Sequence, residues 1–196
     1  MTNFLPKNYK AYLAVKNAIT NDNVKRRLHR FCYRYRLALA FEGINEGGQL
    51  GRSKAGYEAG MKVFLAYTAL EEIYEAIKIL DRNLVDRQLA VKSNIDIANK
   101  IRRNSRLKLL LLNSNNREDL QKNLDNFYKC TTYDILCIAC AVRNLFAHGE
   151  FTAGGAGLNR KNDCKTFTNL ANEVLVYCDK LLFDCVKVLE QRLKKK

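Results

Sequence analysis

The chain has 196 residues, with 34 Lys and Arg against 20 Asp and Glu, giving a formal net charge of +14 at pH 7. That length fits one domain, or one domain with an elaboration, and a hydrophobic content of 47% argues against disorder anywhere but the ends. A single proline, Pro6, and ten glycines gathered at 43–60 and 149–157 leave long stretches without a helix breaker, which argues against a turn-rich β fold.

In chain order, Lys7–Ile19 reads as a short helix. Asn21, Asp22 or Asn23 can cap the next one by accepting a bond from a free backbone N–H. Its apolar stripe, Val24, Leu28, Phe31, Tyr35 and Leu39, runs at steps of three and four, and it should stop near Gly43, where Gly43-Ile-Asn-Glu-Gly-Gly48 and Gly51 form a loop. A second strong helix is expected from Tyr57 to about Leu80, with Val63, Phe64, Tyr67, Leu70, Tyr74 and Ile77 inward and Glu71, Glu72 and Glu75 on the other side. Residues 81–130 read as a helical elaboration: Leu84–Ile101, then Arg106–Leu112, a polar Asn113-Ser-Asn-Asn116 break, and Arg117–Tyr128 capped by Asn115 or Asn116. Thr131-Thr-Tyr-Asp134 has the pattern of a capping box and opens Tyr133–His148, a helix apolar on nearly every side and therefore central in its fold. Gly149 suits a left-handed C-cap. After the loop Gly149–Asn162, a last helix from Asp163 to Leu193 carries Leu170, Val174, Tyr177, Leu181, Leu182, Cys185, Val188 and Leu189, and Lys194-Lys-Lys196 is a frayed basic tail. The expectation is a single all-α domain, an antiparallel four-helix bundle of 24–42, 57–80, 133–148 and 163–193, with the short helices of 81–130 inserted between the second and third.

The third of these helices ends in Arg143-Asn144-Leu-Phe-Ala-His148, where polar side chains enter abruptly after the apolar run to Val142. Asn144 and His148 are four apart, share a face and can hydrogen-bond. Arg143 lies about one and a half turns before His148, which sits at the negative pole of the helix. A histidine can move protons to or from a 2′-hydroxyl or a leaving 5′-oxygen, and an arginine fork can hold the phosphate and stabilise its transition state. One histidine supplies only one proton-transfer group, so a symmetric dimer bringing two helix ends together would complete such a site. The bland alternative is a helix terminus in which His148 caps carbonyls and Arg143 forms a salt bridge.

This pattern resembles the signature of the HEPN superfamily, Arg followed directly by Asn, Asp or His and separated by four to six residues from a His, and it falls late in the third core helix, as it does in that family. The resemblance covers six residues together with the helical layout. It implies an all-α bundle acting as a homodimer, a metal-independent endoribonuclease with Arg143 and His148 essential and Asn144 orienting, and a toxin or anti-phage role with a cognate antitoxin or inhibitor protein. A non-catalytic HEPN-derived module that binds RNA or protein is the alternative. One branch of these toxins carries a Tyr two residues after the His. Here Glu150 stands there, so control by modification of that Tyr is in doubt.

The charge excess attracts polyanions, phosphate backbones first. Arg26, Arg30 and Arg34 form one ridge of the second helix, with Tyr33 and Tyr35 interleaved, and are candidate RNA contacts. Arg160, Lys161 and Lys165 are closer in sequence to His148 and better placed to guide RNA to it. Arg102, Arg103, Arg106 and Lys108 make a second basic cluster. Gly154-Gly-Ala-Gly157 is either a flexible connector or a lid whose amides meet phosphate. Cys137 and Cys140 form a C-x-x-C, but mid-helix and without a second ligand pair, so neither metal nor other cofactor is expected. His29 reads as a surface residue. The first residues lack a secretory apolar core, no apolar run nears the ~20 residues that span a bilayer, and the seven cysteines are odd in number and set among apolar residues. The expectation is a soluble, reduced, cytoplasmic protein without a membrane partner.

Overall fold

The computed structural model describes residues 4–45, 51–80, 95–115 and 117–194. Among the described residues the regular structure is helical, with eight α-helices and no strand: α1 (Tyr9–Val15), α2 (Asp22–Ala40), α3 (Lys54–Leu80), α4 (Ile95–Arg102), α5 (Ser105–Ser114), α6 (Glu118–Tyr128), α7 (Leu136–Ala147) and α8 (Lys161–Leu193). None of the described helices is long and apolar enough to cross a membrane. The expected stretch 84–94, most of the loop after Gly43, Asn116 and the last two lysines lie outside the described residues.

Contacts group the chain into two compact units, and the four helices expected in one bundle are distributed over both. Residues 1–41, 68–90 and 175–196 form the first, and 42–67 and 91–174 the second. α2 therefore belongs to the first unit and α7 to the second, while α3 and α8 contribute to each.

The first unit is built on α2. Asn21 starts it as expected, its Oδ1 accepting from the amides of Asn23 (2.9 Å) and Val24 (3.3 Å). Val24, Leu28, Phe31 and Tyr35 are buried, but the stripe then passes to Ala38, and Leu39 is exposed. Buried carboxylates tie this unit together. Asp179 of α8, 6% exposed, accepts from the Tyr35 hydroxyl at 2.6 Å and the Lys7 amide at 2.8 Å. Glu72 of α3 corrects the expectation that it faces outward: it is 2% exposed, and its carboxylate pairs with Arg27 (2.9 Å) and Arg34 (3.1 Å), with Arg30 at 3.8 Å. A buried carboxylate is tolerated because three guanidinium groups compensate its lost hydration.

The second unit stacks short helices: α4 on α5, α5 on α6 and α7, and α6 on α7. Leu107, Leu111, Leu120, Leu124, Phe127, Ile138 and Val142 fill its centre. Two helix starts differ from expectation. α6 has Arg117 at its N-cap without a side-chain cap bond, and α5 is capped by Asn104, whose Oδ1 accepts from the Leu107 amide at 3.0 Å. α6 ends in a reverse turn with Thr131 N bonded to Asn126 O and Cys130 N to Phe127 O, the pattern that normally selects glycine. Here Cys130 takes the left-handed φ of 61°.

Arg102 ties α4 to the segment between α6 and α7. Its Nε donates to the Phe127 carbonyl (2.8 Å), its Nη2 to the Thr132 carbonyl and its Nη1 to Asn99 Oδ1 (3.2 Å). The same guanidinium lies over the rings of Phe127 (4.7 Å) and Tyr133 (4.4 Å). Replacing it strands the Thr132 carbonyl, takes one donor from the Phe127 carbonyl, which keeps Cys130 N, and removes both ring contacts, so Arg102→Met should cost about 2–3 kcal/mol and lower Tm by roughly 5–10 °C. Arg102→Lys should restore little of this, since one ammonium cannot reproduce the fork. Thermal melts of the three proteins test this, and a Lys variant as stable as wild type would contradict it.

Candidate active site

α7 begins at Leu136, three residues later than the sequence pattern suggests, and the expected capping box does not form. Ile135 is the N-cap and makes no side-chain cap bond; just before it, Asp134 Oδ1 accepts from the Leu136 amide at 2.9 Å, while Thr132 Oγ1 accepts from the Asp134 amide at 3.2 Å and the Thr131 hydroxyl donates back to Asn126 O at 2.9 Å. Burial raises the Asp134 carboxyl above its ordinary value, and the bond from Leu136 offsets only part of that. From there the helix is enclosed: Cys137, Ile138, Ala139, Ala141, Val142 and Leu145 are all buried.

The end of α7 is a complete Schellman turn. His148 is the C-cap, Gly149 takes φ 69°, Glu150 N bonds Leu145 O at 2.8 Å and Gly149 N bonds Phe146 O at 3.2 Å. The left-handed position needs glycine, as the sequence indicated. His148 stands on this turn and is exposed, whereas Arg143, in the preceding turn, is half-buried. On the same helix end Phe146 stacks on Phe151 with ring centroids 4.3 Å apart and lies 5.6 Å from Phe64. Gly60 of α3 lies against this pair, where an added Cβ would come within 2.6 Å of the Phe151 ring and 2.9 Å of Phe146. One turn earlier, a Cβ on Gly56 would meet the Leu158 carbonyl at 2.5 Å. The Gly56–Gly60 face of α3 thus lets the segment after the motif pack close.

That segment is packed, and much of its backbone is hydrogen-bonded within the loop. Phe151, Ala153, Ala156 and Leu158 are buried. The amides of Gly155, Ala156, Gly157 and Leu158 are taken by Thr152 Oγ1, Thr152 O, Gly154 O and Ala153 O, and the Asn104 side chain donates to Ala156 O at 3.0 Å. Backbone donors already engaged inside the loop are not available to an anion.

Within the motif, Asn144 does not meet His148 through its side chain. Its Oδ1 accepts from Arg143 Nη1 at 3.2 Å, and its Nδ2 donates to Asn115 Oδ1 at 3.3 Å. Asn115 in turn donates to Leu111 O at 2.9 Å. It is 5% exposed, so it is part of the site's support and not the helix cap the sequence suggested. The signal lay in its spacing: Leu107, Leu111 and Asn115 step by four along one buried face of α5.

The other candidate residues separate into two groups. Arg160, Lys161 and Lys165 are exposed at the start of α8, in the same unit as the motif. The ridge Arg26–Arg30–Arg34 is not a uniform free surface: Arg34 is committed to Glu72 and to the Thr68 carbonyl (3.1 Å), Arg30 lies at the edge of that pair, and Arg26 reaches Asn23 Oδ1 at 2.8 Å. Tyr33 is exposed, Tyr35 is buried and His29 is exposed. In the second basic cluster, Arg103 and Arg106 are exposed, but Arg102 is the tie described above. Cys137 is buried and donates to Asp134 O, and burial raises its thiol pKa. Among the described residues no three His, Cys, Asp or Glu side chains converge as a cation site.

The raised Asp134 carboxyl has a defined pH consequence. A folded-state pKa above the unfolded one favours the protonated carboxyl, so its contribution is fully present below the ordinary value of 3.8 and is lost as pH rises through the folded value. Asp134→Asn keeps an oxygen for the Leu136 amide and removes the buried charge. Its Tm should exceed wild type at pH 7, with the difference vanishing near pH 3. An equal gain at both pH values would contradict the burial argument.

No known protein-family model matches the chain, and neither a curated protein nor a solved structure matches it with statistical significance.

Proposed function

We propose that the chain is a HEPN-type, metal-independent endoribonuclease acting as a homodimer. The observation that carries this reading is the end of α7: an exposed imidazole on an anchored turn, with a hydrogen-bonded guanidinium one and a half turns before it, on a helix otherwise enclosed. The all-helical content agrees with the all-α class that the resemblance implies, and the net charge of +14 suits a polyanionic substrate.

In this reading one imidazole takes the proton of a 2′-hydroxyl, the 2′-oxygen attacks the adjacent phosphorus, and the bond to the 5′-oxygen breaks as a second, protonated imidazole supplies the leaving group with a proton. The products are a 2′,3′-cyclic phosphate and a 5′-hydroxyl, and DNA, lacking the attacking group, is spared. Arg143 donates to the non-bridging oxygens, where charge builds in the transition state. Each chain brings a single His148, so two copies around one phosphodiester provide both proton-transfer groups. Arg160, Lys161 and Lys165 guide the RNA backbone, and Arg26 and Arg30 extend the attraction, while Arg34 serves Glu72. A toxin or anti-phage role with a cognate antitoxin follows from the family resemblance alone.

The test is incubation of the purified protein with structured RNA in EDTA. Cleavage should fall about 10²–10⁴-fold in His148→Ala and about 10²–10³-fold in Arg143→Ala, each with unchanged helical circular dichroism. RNA binding without cleavage by wild type would replace this reading with the non-catalytic module, and neither binding nor cleavage would leave a structural bundle.

A further inference from the structure

We propose that Asn115 is a positioning residue for the Arg143 guanidinium, acting through Asn144. The two amides stand in series between groups whose hydrogen-bonding sense is fixed. At one end is the Leu111 carbonyl, which can only accept. At the other is Arg143, which can only donate. Asn115 therefore turns its Nδ2 to Leu111 O (2.9 Å) and its Oδ1 to Asn144. Asn144 turns its Nδ2 to Asn115 (3.3 Å) and its Oδ1 to Arg143 Nη1 (3.2 Å). Reversing either amide would set donor against donor or acceptor against acceptor at both of its ends. The direction of one backbone carbonyl of α5 is thus handed to a guanidinium on α7.

Burial gives the relay its authority. Asn115 is 5% exposed, so its carbonyl oxygen has little water to turn to, and an unmet buried polar group costs more than a bond in solvent gains. Asn144 and Arg143 are half-buried, and the anchored end holds the Asn144 amide in the sense that presents its oxygen to Arg143. α5 and α7 pack directly on each other, which keeps the span between Leu111 and Asn144 constant.

The orientation of Arg143 is independent of what the site does, and its effect on rate rests on the nuclease reading above. Two variants divide the roles. Asn115→Leu removes the acceptor for Asn144, whereas Asn115→Asp keeps it and loses the bond to Leu111 O. The Asp variant buries a charge, so it should be at least as destabilised as the Leu variant. A residue with only a structural role would make activity follow stability. Positioning makes activity follow the acceptor. Below both melting temperatures, kcat should fall about tenfold in Asn115→Leu with KM within about twofold, and Asn115→Asp should stay within about threefold of wild type. Nitrogen-15 relaxation of the Arg143 Nε–H reads the same property without turnover: an order parameter of about 0.8 in wild type and Asn115→Asp, falling below about 0.6 in Asn115→Leu. An equally ordered Arg143 in the Leu variant, or a kcat for Asp at or below that of Leu, overturns the proposal. If wild type cuts no RNA, the nuclease reading falls and the relaxation result alone decides the positioning role.

Discussion

A helix with no polar face must be surrounded, and it can then meet water only at its ends. α7 is such a helix. Cys137 to Val142 offer almost nothing that water would solvate, so the short helices α5 and α6 close over it and the Gly56–Gly60 face of α3 admits the returning loop. Once that enclosure is made, the polar residues of α7 can stand only in its last turns. The Schellman turn at Gly149 reverses the chain there and leaves His148 in solvent, while Phe151 of the returning loop stacks on Phe146. The chemistry proposed for this protein thus sits at the position that enclosure leaves open.

Much of this was legible in the amino-acid order. Helical spacing located every long helix to within a few residues, Gly149 marked the end of α7, and Asn21 marked the start of α2. The errors share a cause. Large residues dominate an apolar stripe in the sequence, yet the buried face of α3 runs through Ala59, Val63, Ala66, Ala69, Ile73, Ala76 and Ile77. Small residues mark where helices approach most closely, and the aromatics Phe64, Tyr67 and Tyr74 are displaced to half-buried flanks. Shifting the stripe in that direction places Glu72 inside, a position a carboxylate takes only when partners from another part of the chain meet it.

Those partners are arginines, and they were the least readable feature. Arg27, Arg34 and Arg102 lie among other cations in the sequence and resemble a surface for phosphate. In the fold each spends its donors on Glu72, on a backbone carbonyl or on an aromatic ring. Nothing local distinguishes a guanidinium that ties helices from one that waits for a ligand, because the difference lies in acceptors 25 to 45 residues away. Asn115 is the converse case: its spacing along α5 placed it on the buried face, but its link to Asn144 crosses 29 positions.

The seven thiols are distributed unevenly enough to be useful. Cys32, Cys137, Cys178 and Cys185 are buried, Cys140 and Cys164 are half-buried, and Cys130 alone is exposed, on the left-handed bend that joins α6 to α7. Burial suppresses thiolate formation at Cys32, Cys137, Cys164, Cys178 and Cys185. A maleimide dye or nitroxide offered briefly to the native protein should therefore attach first at position 130, giving the unaltered sequence a spectroscopic reporter of whether two copies associate when RNA is present.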